Sequence, residues 1–161
     1  MDGMDATTET TADLLGLWGD LTRAATVVEA DLRVRLAAAS RTPDEVELLM
    51  QLAAAPEGRL RMVDVATVLH LGKSSVTRLI DRLATAGLVV RAACPSDRRV
   101  TYAGITAAGL VELEQAAPIF MAGLQERLGR PLDAAQVAAL RGDLRRILAA
   151  DDDASSRTAD P

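Results

Sequence analysis

The chain has little of what catalytic and metal centres are usually built from. Its 161 residues include one Cys (Cys94), one His (His70) and three aromatics (Trp18, Tyr102 and Phe120). A single Cys permits no internal disulfide, which agrees with a reducing compartment. A single His cannot form a His-based zinc cluster within one chain, and His70 reads as a structural residue at a helix end. No Ser or Cys lies in a motif that marks an activated nucleophile. Three aromatics are too few for the stacking platforms that bind single-stranded nucleic acid. No apolar stretch approaches the roughly 18 residues that cross a bilayer. The start, MDGMDATTETTAD, is acidic and polar, where a secretory signal needs a basic start and an apolar run. Gly72-Lys73-Ser74 imitates the end of a phosphate-binding loop, but Thr67 stands where that loop needs its first Gly. The reading is a cytoplasmic, non-enzymatic chain with no cofactor, no metal and no membrane association.

What is present is helical and unevenly charged. The length suits one domain with a real core, and an abundance of Ala, Leu and Arg favours helices. The net charge is −5. From Arg59 to Arg99, however, there are eight Lys/Arg against three Asp, a local net of +5. A basic centre in an acidic chain suits a focused anionic partner such as a phosphate backbone.

The periodicity divides the chain into five parts. Residues 1–10 and 151–161 lack periodicity and read as a disordered N-terminus and tail. Residues 11–41 read as an N-terminal dimerisation helix, running from about Ala12 to Ala39. Its Leu14, Trp18, Leu21, Ala25, Val28, Leu32 and Ala39 fall near a coiled-coil spacing that asks for a partner helix from a second subunit. Residues 42–105 hold the densest signals. Thr42-Pro43-Asp44-Glu45 is a capping box opening a helix whose apolar face is Val46, Leu49, Met50 and Ala53. A short apolar piece at Leu60–Met62 leads to a helix at roughly Val63–Leu71, a break at Gly72, and a further helix from Lys73 to Ala86. Gly87 suits a left-handed cap. Leu88–Arg91 and Val100–Ile105 read as two strands of a hairpin. Residues 106–150 read as C-terminal dimerisation helices. The first opens at Thr106 with the stripe Leu110, Leu113, Ala117, Met121, Leu124 and Leu128, and Pro118 should kink it. Asp133 and Gln136 cap the second, whose stripe is Val137, Leu140, Leu144, Ile147 and Leu148.

Two short helices joined at Gly72 make a helix-turn-helix, with Gly72 expected to supply the sharp turn. In the second helix Val76, Leu79, Ile80 and Leu83 follow helical spacing and form its buried face. Ser74, Ser75, Thr77, Arg78, Asp81 and Arg82 are left outside, a polar and cationic surface suited to base edges and phosphates. Arg78 offers a bidentate fork to guanine. Pro95-Ser96-Asp97-Arg98-Arg99 then lies near the tip of a two-stranded ribbon, where paired arginines suit a narrow minor groove and Asp97 can hold one of them. A solvated amphipathic helix followed by an ordinary hairpin turn would look partly similar.

At these residues a family resemblance becomes specific. The run from Leu48 to Gly109 resembles the MarR family of winged-helix regulators. The matching pieces are LHLGKSSVTRLIDRLATAGLV, the wing PSDRR, and ITAAG leading into a long helix. The flanking helices fit that family's order over about residues 12–150. The resemblance implies a mainly α fold with a small β-wing, a winged helix-turn-helix dimerised through its N- and C-terminal helices. It implies a homodimer on pseudo-palindromic duplex DNA, acting as a repressor released by a small aromatic or phenolic effector or by oxidation. The residues it marks for DNA are Lys73, Ser74, Ser75, Thr77, Arg78 and Arg82 on the recognition helix, and Asp97, Arg98 and Arg99 in the wing. Val63 and Gly72 depart from the family, standing where Ser or Thr often caps the two helices. Gly104 departs from a good strand former and should weaken the second wing strand.

Two residues carry open alternatives. Cys94, near Arg91, Arg98 and Arg99, fits either a redox-sensing thiol or an incidental small residue. Trp18 fits either interface core or the wall of an effector pocket. The competing function is a winged-helix interaction module that binds protein and not DNA.

Overall fold

The computed structural model describes residues 3–93 and 100–157. In chain order these form α1 (Gly3–Leu36), α2 (Pro43–Ala54), β1 (Arg59–Arg61), α3 (Met62–Val68), α4 (Lys73–Thr85), β2 (Val89–Ala93), β3 (Thr101–Ile105), α5 (Ala107–Leu124) and α6 (Ala134–Arg157). Helix α1 begins before, and α6 ends after, the boundaries drawn from the sequence at residues 10 and 151.

Residues up to Gly123 make one compact unit. Its core joins Leu48, Leu49 and Leu52 of α2, Val65 of α3, and Val76, Leu79, Ile80 and Leu83 of α4 to Leu88 and to Val89 and Ala103 of the sheet. The four residues assigned from the sequence to the buried face of α4 are the four that are buried. On α2 the face is turned from the expected one. Leu48 and Leu52 are fully buried while Ala53 is exposed, because α2 meets both α4 and the sheet and buries a wider arc than one stripe.

The sheet has three antiparallel strands in the order β1-β3-β2, not the two expected. Leu60, expected only in a short apolar piece, pairs with Ala103, its neighbours Arg59 and Arg61 pairing with Gly104 and Tyr102. The strand ends because α3 starts at Met62, one residue before the expected start, leaving Arg61 and not Val63 at the cap position. The turn between α3 and α4 also differs. Gly72 is extended (φ −64°, ψ 150°) and caps α4, while the left-handed residue is His70 at φ 50°. Gly87 is left-handed at φ 74°, as read. Helix α5 continues through Pro118 to Leu124 and is followed by a wider π-helical turn at Gln125–Gly129.

Among the described residues of α1, those buried within this unit are Leu32 and Leu36, near its C-terminal end. Leu14, Leu15, Leu17 and Trp18 are exposed. On α5 the buried residues are Gly109, Ala116, Phe120 and Gly123, with Leu110 and Met121 of the expected stripe outside. Close approach selected the small residues: a Cβ on Gly123 would lie 2.6 Å from Leu32 Cδ2. The second unit, from Leu124 onward, carries α6. The α6 cap is a reciprocal pair, Gln136 N donating to Asp133 Oδ1 at 2.8 Å and Asp133 N to Gln136 Oε1 at 2.9 Å.

Candidate nucleic-acid interface

The recognition surface follows from how α4 is seated. With Val76, Leu79, Ile80 and Leu83 in the core, Lys73, Ser74, Thr77 and Arg78 are exposed and Ser75 is half-buried. Gly72 has no side chain with which to cap the helix. Its carbonyl accepts from Ser75 N at 2.9 Å and Val76 N at 3.1 Å. The Thr77 hydroxyl donates to the Lys73 carbonyl at 2.9 Å, which holds its rotamer and leaves the oxygen able to accept. Among the described residues, no acidic side chain forms an ion pair with Lys73 or Arg78. Two unneutralised cations and three hydroxyls within two turns of a rigidly seated helix make a surface suited to phosphates and base edges.

Arg82 is placed differently from its neighbours. Its Nε donates to Glu45 Oε1 at 3.2 Å, turning the side chain back toward α2. Glu45 is buried, and its other oxygen accepts from Thr42 N at 3.0 Å. The Thr42 hydroxyl accepts in return from Glu45 N, completing the capping box read from the sequence. Arg41 lies 3.8 Å from the same carboxylate and donates to Glu112 of α5 at 2.8 Å. Arg82 is therefore a tie within the fold as well as a candidate for the interface.

The sheet positions further cations. Register puts Arg59, Arg61 and Tyr102 on one face. The Arg59 guanidinium stacks 5.0 Å from the centroid of Tyr102 and pairs with Glu57. Arg61 donates to Asp64 at 2.9 Å, which lowers that carboxyl below its usual range and raises the guanidinium. Gly104 lies opposite Arg59, and a Cβ there would meet Val90 and Arg59 only at ordinary contact distance. Arg91 points the other way, to Asp81 of α4 at 2.7 Å. Sequence reading gave neither the Arg91–Asp81 tie nor the burial of Glu45. The first depends on strand register. The second had a signal in the capping box, which places Glu45 but does not tell its depth.

Asp97, Arg98, Arg99 and Cys94 fall outside the described residues. Trp18 is 65% exposed. It does not line the cleft of about 450 Å³ that opens between α3 and α4, bounded by Met62, Val63, Ala66, Thr67, Lys73, Val76 and Thr77. Among the described residues, no group of three or more His, Cys, Asp or Glu is arranged to hold a metal. Nor is any helix there long and apolar enough to cross a membrane.

A helix-turn-helix with an exposed cationic second helix, followed by a β-ribbon built on a three-stranded sheet, defines a winged-helix DNA-binding regulator. Residues 40–100 match the model of the MarR family. Over 86 residues the chain is 31% identical to the multiple antibiotic resistance protein MarR of Escherichia coli, a match covering 53% of this chain and 60% of that protein. The crystal structure of Sco3205, a MarR family transcriptional regulator from Streptomyces coelicolor in complex with DNA, superposes with a TM-score of 0.78. Its identity is 31%, and the match covers 86% of this chain and 87% of that one. AbsC, a MarR family transcriptional regulator from the same organism, gives a TM-score of 0.77 at 28% identity, covering 83% and 90%. The chain belongs to the MarR family and is a transcriptional regulator of that class.

Proposed function

We propose that the protein binds pseudo-palindromic duplex DNA as a cytoplasmic homodimer and represses transcription until an effector releases it. The observation that carries the reading is the unneutralised face of α4, where Lys73, Ser74, Thr77 and Arg78 stand outside a core that fixes the helix. Arg78 and the hydroxyls read bases, Lys73 meets a phosphate, and the wing residues Asp97, Arg98 and Arg99 address the minor groove. Dimerisation is supported by the apolar side chains left open on α1 and α5, which a single chain does not cover. Relatives support release by a ligand: CouR from Rhodococcus jostii RHA1, 26% identical with a TM-score of 0.71, is known bound to p-coumaroyl-CoA. A small aromatic effector is the corresponding reading here, with Trp18 as one candidate wall.

The test is selection of bound fragments from a random duplex library, followed by titration of the selected duplex against random duplex at several salt concentrations. Tight binding that survives the competitor and weakens steeply with salt is expected. Arg78→Ala should cost about 1–3 kcal/mol and relax the preference at one position, and Lys73→Ala should weaken all duplexes alike. Failure to enrich any sequence would leave the protein-interaction reading.

A further inference from the structure

Asp81 is an unexpected residue on a surface offered to phosphates. It is exposed on α4, one helical turn beyond Thr77 and three residues beyond Arg78, where a carboxylate repels a polyanion. Its partner accounts for it. Arg91 Nη2 donates to Asp81 Oδ1 at 2.7 Å, and the same nitrogen donates to the Thr77 carbonyl at 3.2 Å. The side chain reaches α4 because of strand register. Arg91 pairs with the fully buried Ala103, whereas its neighbours Val90 and Ala92 pair with Gly104 and Tyr102 on the opposite face. One guanidinium thus grips two groups a full turn apart on the recognition helix, from the strand that leads into the wing.

We propose that Arg91 is a positioning residue for duplex binding and that Asp81 acts through it. The pair forms a strut that fixes β2, and hence the start of the wing, against the reading face of α4. The inference rests on the DNA-binding reading above. An exposed pair contributes little to global stability, and the core and strand pairing already hold the sheet in place. What the strut supplies is a set distance between two elements that engage one ligand, so that less ordering remains to be done on binding.

The strut and a direct contact differ in what removing Asp81 does. Were Arg91 simply a phosphate contact, deleting the nearby carboxylate would leave binding unchanged or strengthen it. The strut requires the opposite. The selected duplex and a random duplex are titrated by fluorescence anisotropy with wild type, Asp81→Ala, Arg91→Ala and the double variant, beside thermal unfolding of each. Asp81→Ala is expected to weaken selected-duplex binding about tenfold with its unfolding temperature little changed, a coupling ordinary for residues in contact. The double variant should be no weaker than Arg91→Ala alone. Asp81→Glu, which keeps the charge, should recover binding to within about twofold of wild type. Asp81→Asn, which keeps the size, should lose it, and serves where Ala disturbs the helix. Binding by Asp81→Ala as tight as wild type, or losses that add in the double variant, would overturn the strut. Wild type that selects no duplex would remove the DNA-binding reading itself, and the strut with it.

Discussion

Arg82 Nε lies 3.2 Å from Glu45 Oε1, tying the last turn of the recognition helix to the first turn of α2. Glu45 is 5% exposed, and the same carboxylate completes the α2 capping box. Glu45→Ala removes the carboxylate half of the capping box, leaving the Thr42 N–H without its acceptor and Arg82 without its acid. It is expected to cost about 2 kcal/mol, read as a lower urea midpoint at unchanged slope. Arg82→Ala should cost less than about 1 kcal/mol, because its own side chain is half exposed.

Gly109 is fixed by a close approach. A Cβ there would lie 2.2 Å from the Leu88 carbonyl oxygen and 2.8 Å from Ile105 Cγ1. Backbone cannot yield as a side-chain end can, so Gly109→Ala is expected to cost about 3 kcal/mol. Gly104→Ala is the control, since its nearest neighbours would be 3.6 Å and 3.7 Å away. Its cost should stay below about 1 kcal/mol. Parallel urea titrations separate the two.

The turn between α3 and α4 has room for improvement. At Gly72 the backbone suits any L residue, the Cβ position is open, and the helix has no side-chain cap. Gly72→Ser is expected to raise stability by about 0.5–1 kcal/mol through the cap and a stiffer unfolded chain. His70→Gly, by relieving a left-handed φ of 50°, should add up to about 1 kcal/mol. Thermal unfolding of both variants checks the pair.

Glu47, half-buried on α2, sets a pH dependence. Burial raises its carboxyl above the ordinary 4.5, Asp44 raises it further, and His70 opposes them. The folded state therefore holds that proton more tightly than the unfolded chain. The resulting stability is fully present below the ordinary value and is lost as pH rises through the raised one. Glu47→Gln should remove this fall, so urea midpoints of variant and wild type should diverge in the variant's favour as pH rises above the ordinary 4.5.

The helix-turn-helix was readable because its signals are local and agree. Four apolar residues at helical spacing, a capping box at Thr42 and Glu45, and a left-handed Gly87 each need only a few neighbouring residues. The recognition face followed by subtraction from the buried one. Strand β1 did not follow, because three residues are too few to show a period and Leu60 reads the same in a loop. The buried face of α5 was hidden for another reason. Large apolar side chains mark a stripe by their size, whereas Gly109 and Gly123 mark a close approach by having none. Arg91 and Asp81 meet across ten residues of sequence, through a strand register that no local pattern encodes.

The exposure of Trp18, the sole tryptophan, has a practical consequence. An indole in water emits at longer wavelength than one that is covered. Assembly along α1 would therefore shift the protein's intrinsic fluorescence to the blue as concentration rises. The chain carries its own optical gauge of association, requiring no label and responding to no other tryptophan.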